Sequence, residues 1–159
     1  MDQETKIWEL PEIVDWTQII LNSYHRFFNQ QLIDRTGDKC IQSKNLFYAP
    51  MVVYSHDNQL DPIYNYSSEK GLIIWDMTWE QFSKTPSRTT TEPLLREERQ
   101  QILRETATKG YITNYEGVRI SRSGKKYKIF DITLWNLTDN LGQYCGQAAT
   151  FSQWQPVNG

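Results

Sequence analysis

Apolar residues recur at steps of three and four positions between Pro11 and Gln31. This spacing places them along one stripe of an α-helix, and Pro11 suits the first turn of such a helix. We therefore expect an amphipathic helix over about residues 11–31 whose stripe packs on another surface. The stripe consists of Ile13, Trp16, Ile20, Tyr24, Phe27 and Phe28.

A polar stretch over residues 34–44 predicts a loop after this helix. Two short runs rich in apolar and β-branched residues follow at 46–54 and 63–66. Runs of this kind predict two β-strands. The side-chain oxygens of Asn65 and Ser67 are suited to capping a helix that follows the second strand.

The middle of the chain has helical character. Residues 71–75 predict the buried part of a short helix, and residues 77–82 predict one or two further turns. A longer helix is expected to begin near Thr91 and Pro93 and to stop at Gly110. Threonine and proline are common at the start of a helix, and glycine commonly follows its last turn. Its polar face mixes both signs of charge, which indicates a solvated surface.

The last third of the chain changes to a strand-like composition, with Tyr, Ile, Val, Thr and Trp in runs at 111–121, 126–137 and 143–151. Short turns separate the runs, so they predict an antiparallel meander of three strands. One helix, two strands, several helices and three strands together predict a single α+β domain over residues 1–159, with its core over about 46–154.

Composition narrows the classes of function. The 159 residues are 38% hydrophobic and 13% aromatic, which is enough for one domain with an aromatic-rich core. The formal net charge is -2 and the basic residues are scattered, which argues against nucleic-acid binding. No apolar run approaches the ~20 residues of a membrane span, and the N-terminus lacks signal-peptide character, so we expect a cytoplasmic protein without a membrane partner.

Several short blocks along the chain form a recognisable series. They are Ala49-Pro50, Ser55-His56, residues 61–66, residues 77–82, Pro86-Ser87-Arg88, residues 117–121, Trp135-Asn136-Leu137 and residues 146–149. In type and order these blocks resemble the MEKHLA family, a PAS-related group found in bacteria and at the C-terminus of plant class III homeodomain leucine-zipper proteins. The resemblance implies a PAS-like fold, in which helices flank a five-stranded antiparallel sheet, with an extra N-terminal helix and a sensory or interaction role. The chain contains no homeodomain or leucine-heptad segment, so the transcriptional role is not carried over.

The positions of cysteine and histidine bear on cofactors. PAS-type flavin photosensors place a reactive cysteine in a Gly-Arg-Asn-Cys run on a helix, and neither Cys40 nor Cys145 has that context. An axial haem ligand would be expected in the helical layer, whereas His25 lies on the N-terminal helix and His56 in a predicted turn. We therefore expect no cofactor and a colourless protein.

A group of three titratable residues, His56, Asp57 and Asp61, has two interpretations. Imidazole and carboxylate groups suit a metal site or an acid–base pair. Asp57 and Asp61 equally suit a turn, because aspartate hydrogen-bonds nearby backbone and commonly precedes a proline. We favour the turn and predict no metal site.

Some polar residues have no role in turns and interrupt apolar segments. Arginine offers a planar fork of donors for a carboxylate or phosphate, and an amide can bind a ring edge, so a small anionic or heterocyclic ligand is expected. Alternatively, Arg88 and Arg119 lie on the solvent face or pair with Asp131 or Glu116, since strand register is not readable to one residue. The predicted ligand-binding residues are Arg88, Arg119, Asn136 and Gln147, with Trp75, Trp135 and Tyr115 as cavity walls.

Three functions remain open at this point. The first is a sensory domain that binds a small molecule between sheet and helices. The second is a ligand-free homodimerisation module in which Trp16, Ile20 and Phe27 pack against a second copy. The third and weakest is a small cone-fold hydrolase or isomerase, since the chain has no nucleophile with a base at recognisable spacing. We therefore expect a binding protein rather than an enzyme.

Overall fold

The computed structural model describes residues 6–90 and 96–157. Its helices are α1 (Pro11–Phe28), α2 (Lys39–Phe47), α3 (Glu69–Trp75), α4 (Trp79–Phe82) and α5 (Arg96–Lys109), and its strands are β1 (Val52–His56), β2 (Tyr64–Ser67), β3 (Tyr111–Ile120), β4 (Lys126–Thr138), β5 (Tyr144–Phe151) and β6 (Gln153–Pro156). Of the helices in the described part of the chain, none has the length and apolar character that a bilayer crossing requires.

The strands form one antiparallel sheet in the order β2-β1-β5-β4-β3, and β6 pairs with the first half of β4. The predicted α+β architecture and the three-stranded meander are thereby confirmed. The sixth strand was not predicted. It follows β5 after Ser152, and like β5 it pairs with β4. Its Trp154 lies opposite Ile129 of β4.

The sheet has two differently covered faces. We call the face toward α3 and α5 the inner face, and the face toward α1 and α2 the outer face. Successive side chains of a strand point to opposite faces, so Tyr54 joins the inner core while Val53 joins the outer one. Buried side chains of the inner core are Val52, Tyr54, Tyr64, Ile74, Trp75, Phe82, Ile129, Ile132, Leu134, Ala149 and Phe151.

Helix α1 confirms the N-terminal prediction and covers the outer face. Pro11 opens the helix, and Asn29 ends it in the left-handed conformation. Ile20 is fully buried, and its carbonyl accepts a hydrogen bond from Trp135 Nε1 at 3.4 Å. Ile13 and Ile20 of the apolar stripe are therefore buried within the chain itself, while its aromatic residues are partly buried, and the expectation that Ile20 packs against a second copy is wrong.

A chain of polar contacts ties α1 to the sheet. Trp16 Nε1 donates to Ser55 Oγ of β1 at 2.8 Å, and Ser55 Oγ donates to Asn65 Oδ1 of β2 at 2.6 Å. Asn65 therefore lies within β2 and accepts a hydrogen bond there. The prediction that it caps the next helix is wrong, since the N-cap of α3 is Ser68.

The predicted loop over residues 34–44 is also wrong in its second half, which forms the start of α2. Asp38 caps this helix by accepting a hydrogen bond from the Ile41 backbone N–H at 2.8 Å. Leu46, predicted to lie in the first strand, is part of α2 and is buried on the outer face. The first strand begins only at Val52.

The later helices lie where the sequence predicts helical segments. Thr78 and Gln81 form a capping box at the start of α4. Helix α5 stops immediately before Gly110, whose φ of 95° is in the left-handed region. The predicted start of this helix at Thr91 and Pro93 lies outside the described residues.

Candidate functional site

A group of polar side chains interrupts the apolar inner face. Arg119 of β3 and Gln147 of β5 are each only 3% exposed, and His56 of β1 is also buried. Tyr54 lines a small cavity together with His56 and Gln147, and its ring centre lies 5.2 Å from that of Trp75. Buried polar groups normally have hydrogen-bond partners, so the contacts of each one indicate what the site can bind.

Arg119 reaches this group because of its neighbours on β3. Its Nη1 donates to the carbonyl of Val118 at 3.1 Å, and its guanidinium carbon lies 5.9 Å from the centre of the Tyr115 ring. A Cβ on Gly117 would come within 2.8 Å of the same Nη1. The absence of a side chain at Gly117 therefore lets the guanidinium lie back against Tyr115.

Among the side chains that the structure describes, no carboxylate forms an ion pair with Arg119. The acidic residues proposed as its alternative partners lie elsewhere: Glu116 pairs with Lys128 at 3.8 Å, and Asp131 occupies a left-handed position in β4 with φ of 55°. A buried charge without an opposite charge is costly, so this arginine is the most unusual group on the inner face.

Arg119 remains a cation despite its burial. Burial alone would lower its pKa, because a dry environment disfavours the charged form. Tyrosine side chains around it, one of which hydrogen-bonds the guanidinium, reverse this effect and raise the pKa overall; they are Tyr54, Tyr115 and Tyr64.

Trp75, at the end of α3, is 1% exposed and belongs to the same aromatic group. Its indole Nε1 is buried and has no hydrogen-bond partner among the described residues. The carbonyl of Trp75 accepts a hydrogen bond from the backbone N–H of Arg122 at 2.9 Å. This contact holds the end of α3 against the end of β3, which carries Arg119.

The two amides lie side by side on neighbouring strands. Gln147 Nε2 is 3.4 Å from Asn136 Oδ1, and Asn136 Nδ2 donates to the carbonyl of Thr106 in α5 at 3.1 Å. A cavity of about 10 Å³, close to the space of one water molecule, lies next to them. Its walls are Tyr54, His56, Leu134, Gln147, Ala148 and Ala149.

Five of the seven predicted ligand-binding residues thus lie on the inner face, and two do not. Arg88 is exposed and forms an ion pair with Asp61 at 3.0 Å. Trp135 points to the outer face, where its ring meets Tyr24 of α1 at 5.0 Å. Sequence reasoning missed Tyr54, because the sequence places it in the first predicted strand but does not show which face of the sheet it lies on.

Of the group His56, Asp57 and Asp61, the two aspartates lie in the connection between β1 and β2, whereas His56 is the last residue of β1. The Asp57 carboxylate accepts hydrogen bonds from the backbone of Ile63 at 3.0 Å and of Gln59 at 3.3 Å. The described residues contain no cluster of three or more histidine, cysteine or acidic side chains that could hold a metal ion. Asp57 therefore has a structural role in closing the β1–β2 connection.

The cysteines lie away from the inner face. Cys40 is on α2, and Cys145 at the start of β5 packs with the outer core. Partial burial, with a smaller contribution from Asp139, raises the pKa of the Cys145 thiol. Fewer thiolates form at neutral pH as a result, which lowers the reactivity of this side chain.

Comparison with known proteins agrees with this architecture. The profile of the MEKHLA domain family matches residues 14–156. No curated protein sequence matches the chain significantly.

Several solved structures share the fold. The PAS domain of a protein from Colwellia psychrerythraea superposes with a TM-score of 0.60 at 15% identity, over 74% of this chain and 94% of that one. A light-oxygen-voltage domain studied with a flavin analogue gives 0.54 at 14% identity, over 68% and 78%. The light-state dimer of the fungal blue-light photoreceptor Vivid gives 0.55 at 15% identity, over 82% and 88%. At such identities the likeness establishes a PAS-like fold and nothing finer.

Proposed function

Because the chain belongs to the MEKHLA domain family, whose PAS-like fold is that of sensory domains, we propose that it binds a small anionic molecule at the inner face of its sheet. The ligand's negative group contacts Arg119. Tyr115 and Trp75 form walls of the site, and Asn136 and Gln147 supply further polar contacts. The proposed role is binding and signal input without catalysis.

The observation that carries this proposal is the burial of Arg119 without a carboxylate partner among the side chains that the structure describes. A structural arginine is normally exposed or paired, as Arg88 is with Asp61. Leaving a guanidinium buried without an opposite charge costs several kcal/mol relative to a paired state. A bound anion would remove that cost, and binding would be correspondingly favourable.

The dimerisation alternative has lost its first support. It rested on Trp16, Ile20 and Phe27 of α1, and Ile20 is buried on the outer face of the same chain, whereas Trp16 and Phe27 are only partly buried there. Ligand binding does not depend on that surface. We therefore place the proposed function at the inner face rather than at α1.

Thermal-shift screening against small carboxylates, phosphates, nucleotides and heterocycles tests the proposal. We expect at least one acid to stabilise the wild-type protein and to lose affinity about 10-fold to 100-fold in Arg119→Leu, because charge-assisted hydrogen bonds are lost. Arg88→Leu is the matched control, since it removes an exposed arginine from the same chain. A ligand that stabilises all three proteins equally would exclude Arg119 from the site.

A further inference from the structure

We propose that a cleft on the surface of α3 binds an α-amino acid with an apolar side chain. The cleft has a volume of about 490 Å³, which is within the usual range of small-molecule sites. The lining residues that carry this proposal do not belong to the anion site at Arg119, so the inference goes beyond the proposed function. They are Glu69, Leu72, Ile73, Asp76, Met77 and Arg122.

One side of α3 forms a wall of the cleft. Residues 69, 72, 73 and 76 are the positions i, i+3, i+4 and i+7, which follow one side of the helix up to its C-cap. The carboxylates of Glu69 and Asp76 are therefore at the two ends of this wall, and two apolar side chains lie between them. One of these, Ile73, is 70% exposed. A ligand that covered it with an apolar group would remove this surface from water, which favours binding.

Opposite charges line one end of the cleft without forming an ion pair. The backbone N–H of Arg122 donates to the carbonyl of Trp75 at 2.9 Å, which brings Arg122 next to Asp76. Both side chains are exposed, and neither has an ion-pair partner among the described side chains. A ligand that carries both a positive and a negative group can therefore contact the two residues at once.

The backbone of Asp76 is the second unusual feature of this end. Its φ of 55° is in the left-handed region, which residues other than glycine adopt infrequently. Its carboxylate also follows the last turn of α3, where the helix carbonyls disfavour a negative charge. A bound cation would offset this repulsion, so the end of α3 suits the ammonium group of a ligand.

The lining residues together define the class of ligand. An α-amino acid carries an ammonium group and a carboxylate on one carbon, and these match Asp76 and Arg122 respectively. The apolar surface beside them consists of Leu72, Ile73 and Met77. Because a methionine side chain is flexible, it adapts readily to the shape of a ligand's side chain. The cleft therefore favours an apolar amino acid over a polar one.

Nuclear magnetic resonance of the full chain with carbon-13-labelled methionine methyl groups tests this inference, with L-leucine as the probe. The chain has three methionines. Met77 lines the cleft, and Met77→Leu assigns its signal. Met51 packs with the outer core and is the internal control. A ligand of this size is expected to bind with a Kd on the order of millimolar.

We expect leucine to move the Met77 signal to saturation and to leave the Met51 signal unmoved. N-acetyl-leucine lacks the ammonium group and leucinamide lacks the carboxylate, so each should bind at least about 5-fold more weakly in this solvent-exposed cleft. Glycine lacks the apolar side chain and should also bind at least about 5-fold more weakly.

Substitutions locate the site. Asp76→Asn removes the charge and keeps a residue type that tolerates left-handed backbone, and Arg122→Gln removes the guanidinium. Each should weaken leucine binding at least about 5-fold. Glu80→Gln is the matched control, because it removes an exposed carboxylate of α4 that does not line the cleft. Glu80→Gln and Arg119→Leu should both bind leucine as wild type does.

The results separate this inference from the proposed function. A Met77 signal that stays unmoved at leucine concentrations about 10-fold above the expected Kd would refute the inference. Equal binding of leucine and leucinamide would refute it, and so would equal effects of Asp76→Asn and Glu80→Gln. Loss of leucine binding in Arg119→Leu would place leucine at the anion site and refute the cleft alone. Binding in the cleft without any acid that depends on Arg119 would support the inference and contradict the proposed function.

Discussion

The guanidinium of Arg119 lies against the ring of Tyr115, with 5.9 Å between the guanidinium carbon and the ring centre. The two residues are four positions apart on β3, and the residue midway between them is Gly117. A Cβ at that position would be 2.8 Å from Arg119 Nη1 and 3.3 Å from the Tyr115 hydroxyl. The arrangement of cation and ring therefore depends on glycine at position 117.

Gly117→Ala is expected to displace the guanidinium and to lower the free energy of unfolding by about 1–3 kcal/mol, the usual cost of overpacking a buried site. Urea unfolding measures the effect. In an Arg119→Ala background the same substitution should cost much less, because the group it collides with is absent. Equal costs in both backgrounds would mean that Gly117 does not position Arg119.

Replacement by phenylalanine is expected to change the free energy of unfolding differently at Tyr66 and at Tyr64, both on β2. The Tyr66 hydroxyl is buried without a described hydrogen-bond partner, whereas the Tyr64 hydroxyl is 2.6 Å from Thr90 Oγ1. Tyr66→Phe should raise the free energy of unfolding by about 1 kcal/mol or leave it unchanged, and Tyr64→Phe should lower it by about 1 kcal/mol. Chemical denaturation at neutral pH separates them, and a loss in Tyr66→Phe as large as that in Tyr64→Phe would contradict the account.

Tyr66 also predicts a pH dependence. Burial raises its pKa far above the ordinary value of 10.0, so only the unfolded chain can ionise it. Its contribution to stability is complete below about pH 10 and is lost above it, at up to about 1.4 kcal/mol per pH unit. Tyr66→Phe should therefore lose less stability than wild type between about pH 10 and 11, and identical pH profiles would exclude this role.

Substitution of Ile20 tests whether α1 packs on the sheet of its own chain. Because this side chain is fully buried between α1 and the sheet, Ile20→Ala should lower the free energy of unfolding by about 2–5 kcal/mol. The midpoint should not change with protein concentration. A midpoint that rises with concentration would indicate that the helix is shared between two copies.

Periodicity was sufficient to predict α1 because its apolar stripe repeats along the whole helix and packs against one surface. Periodicity was insufficient for α2, where only Leu46 and Phe47 are apolar and buried. In the sequence these two residues are continuous with the apolar run that predicts the first strand. The capping aspartate, Asp38, was the remaining local signal. Tertiary burial on the outer face, which the sequence does not display, makes this segment helical.

The site was harder to predict because strand register decides which side chains meet. β3 and β4 contain irregularities near Tyr115, and Asp131 has a left-handed φ of 55°. Each irregularity exchanges the faces of the residues that follow it. The inward position of Arg119 and the outward position of Trp135 both follow from this register, and neither could be counted from the sequence.

Native mass spectrometry of the freshly purified wild-type chain and of Arg119→Leu tests the central claim most directly. The account predicts that the wild-type protein carries a small acid, released on denaturation and identified by its mass, and that Arg119→Leu carries none. Arg88→Leu should retain it. A wild-type chain that is bare and remains so after incubation with the acids of the screening panel, or an acid retained equally by Arg119→Leu, would contradict an anion site at Arg119.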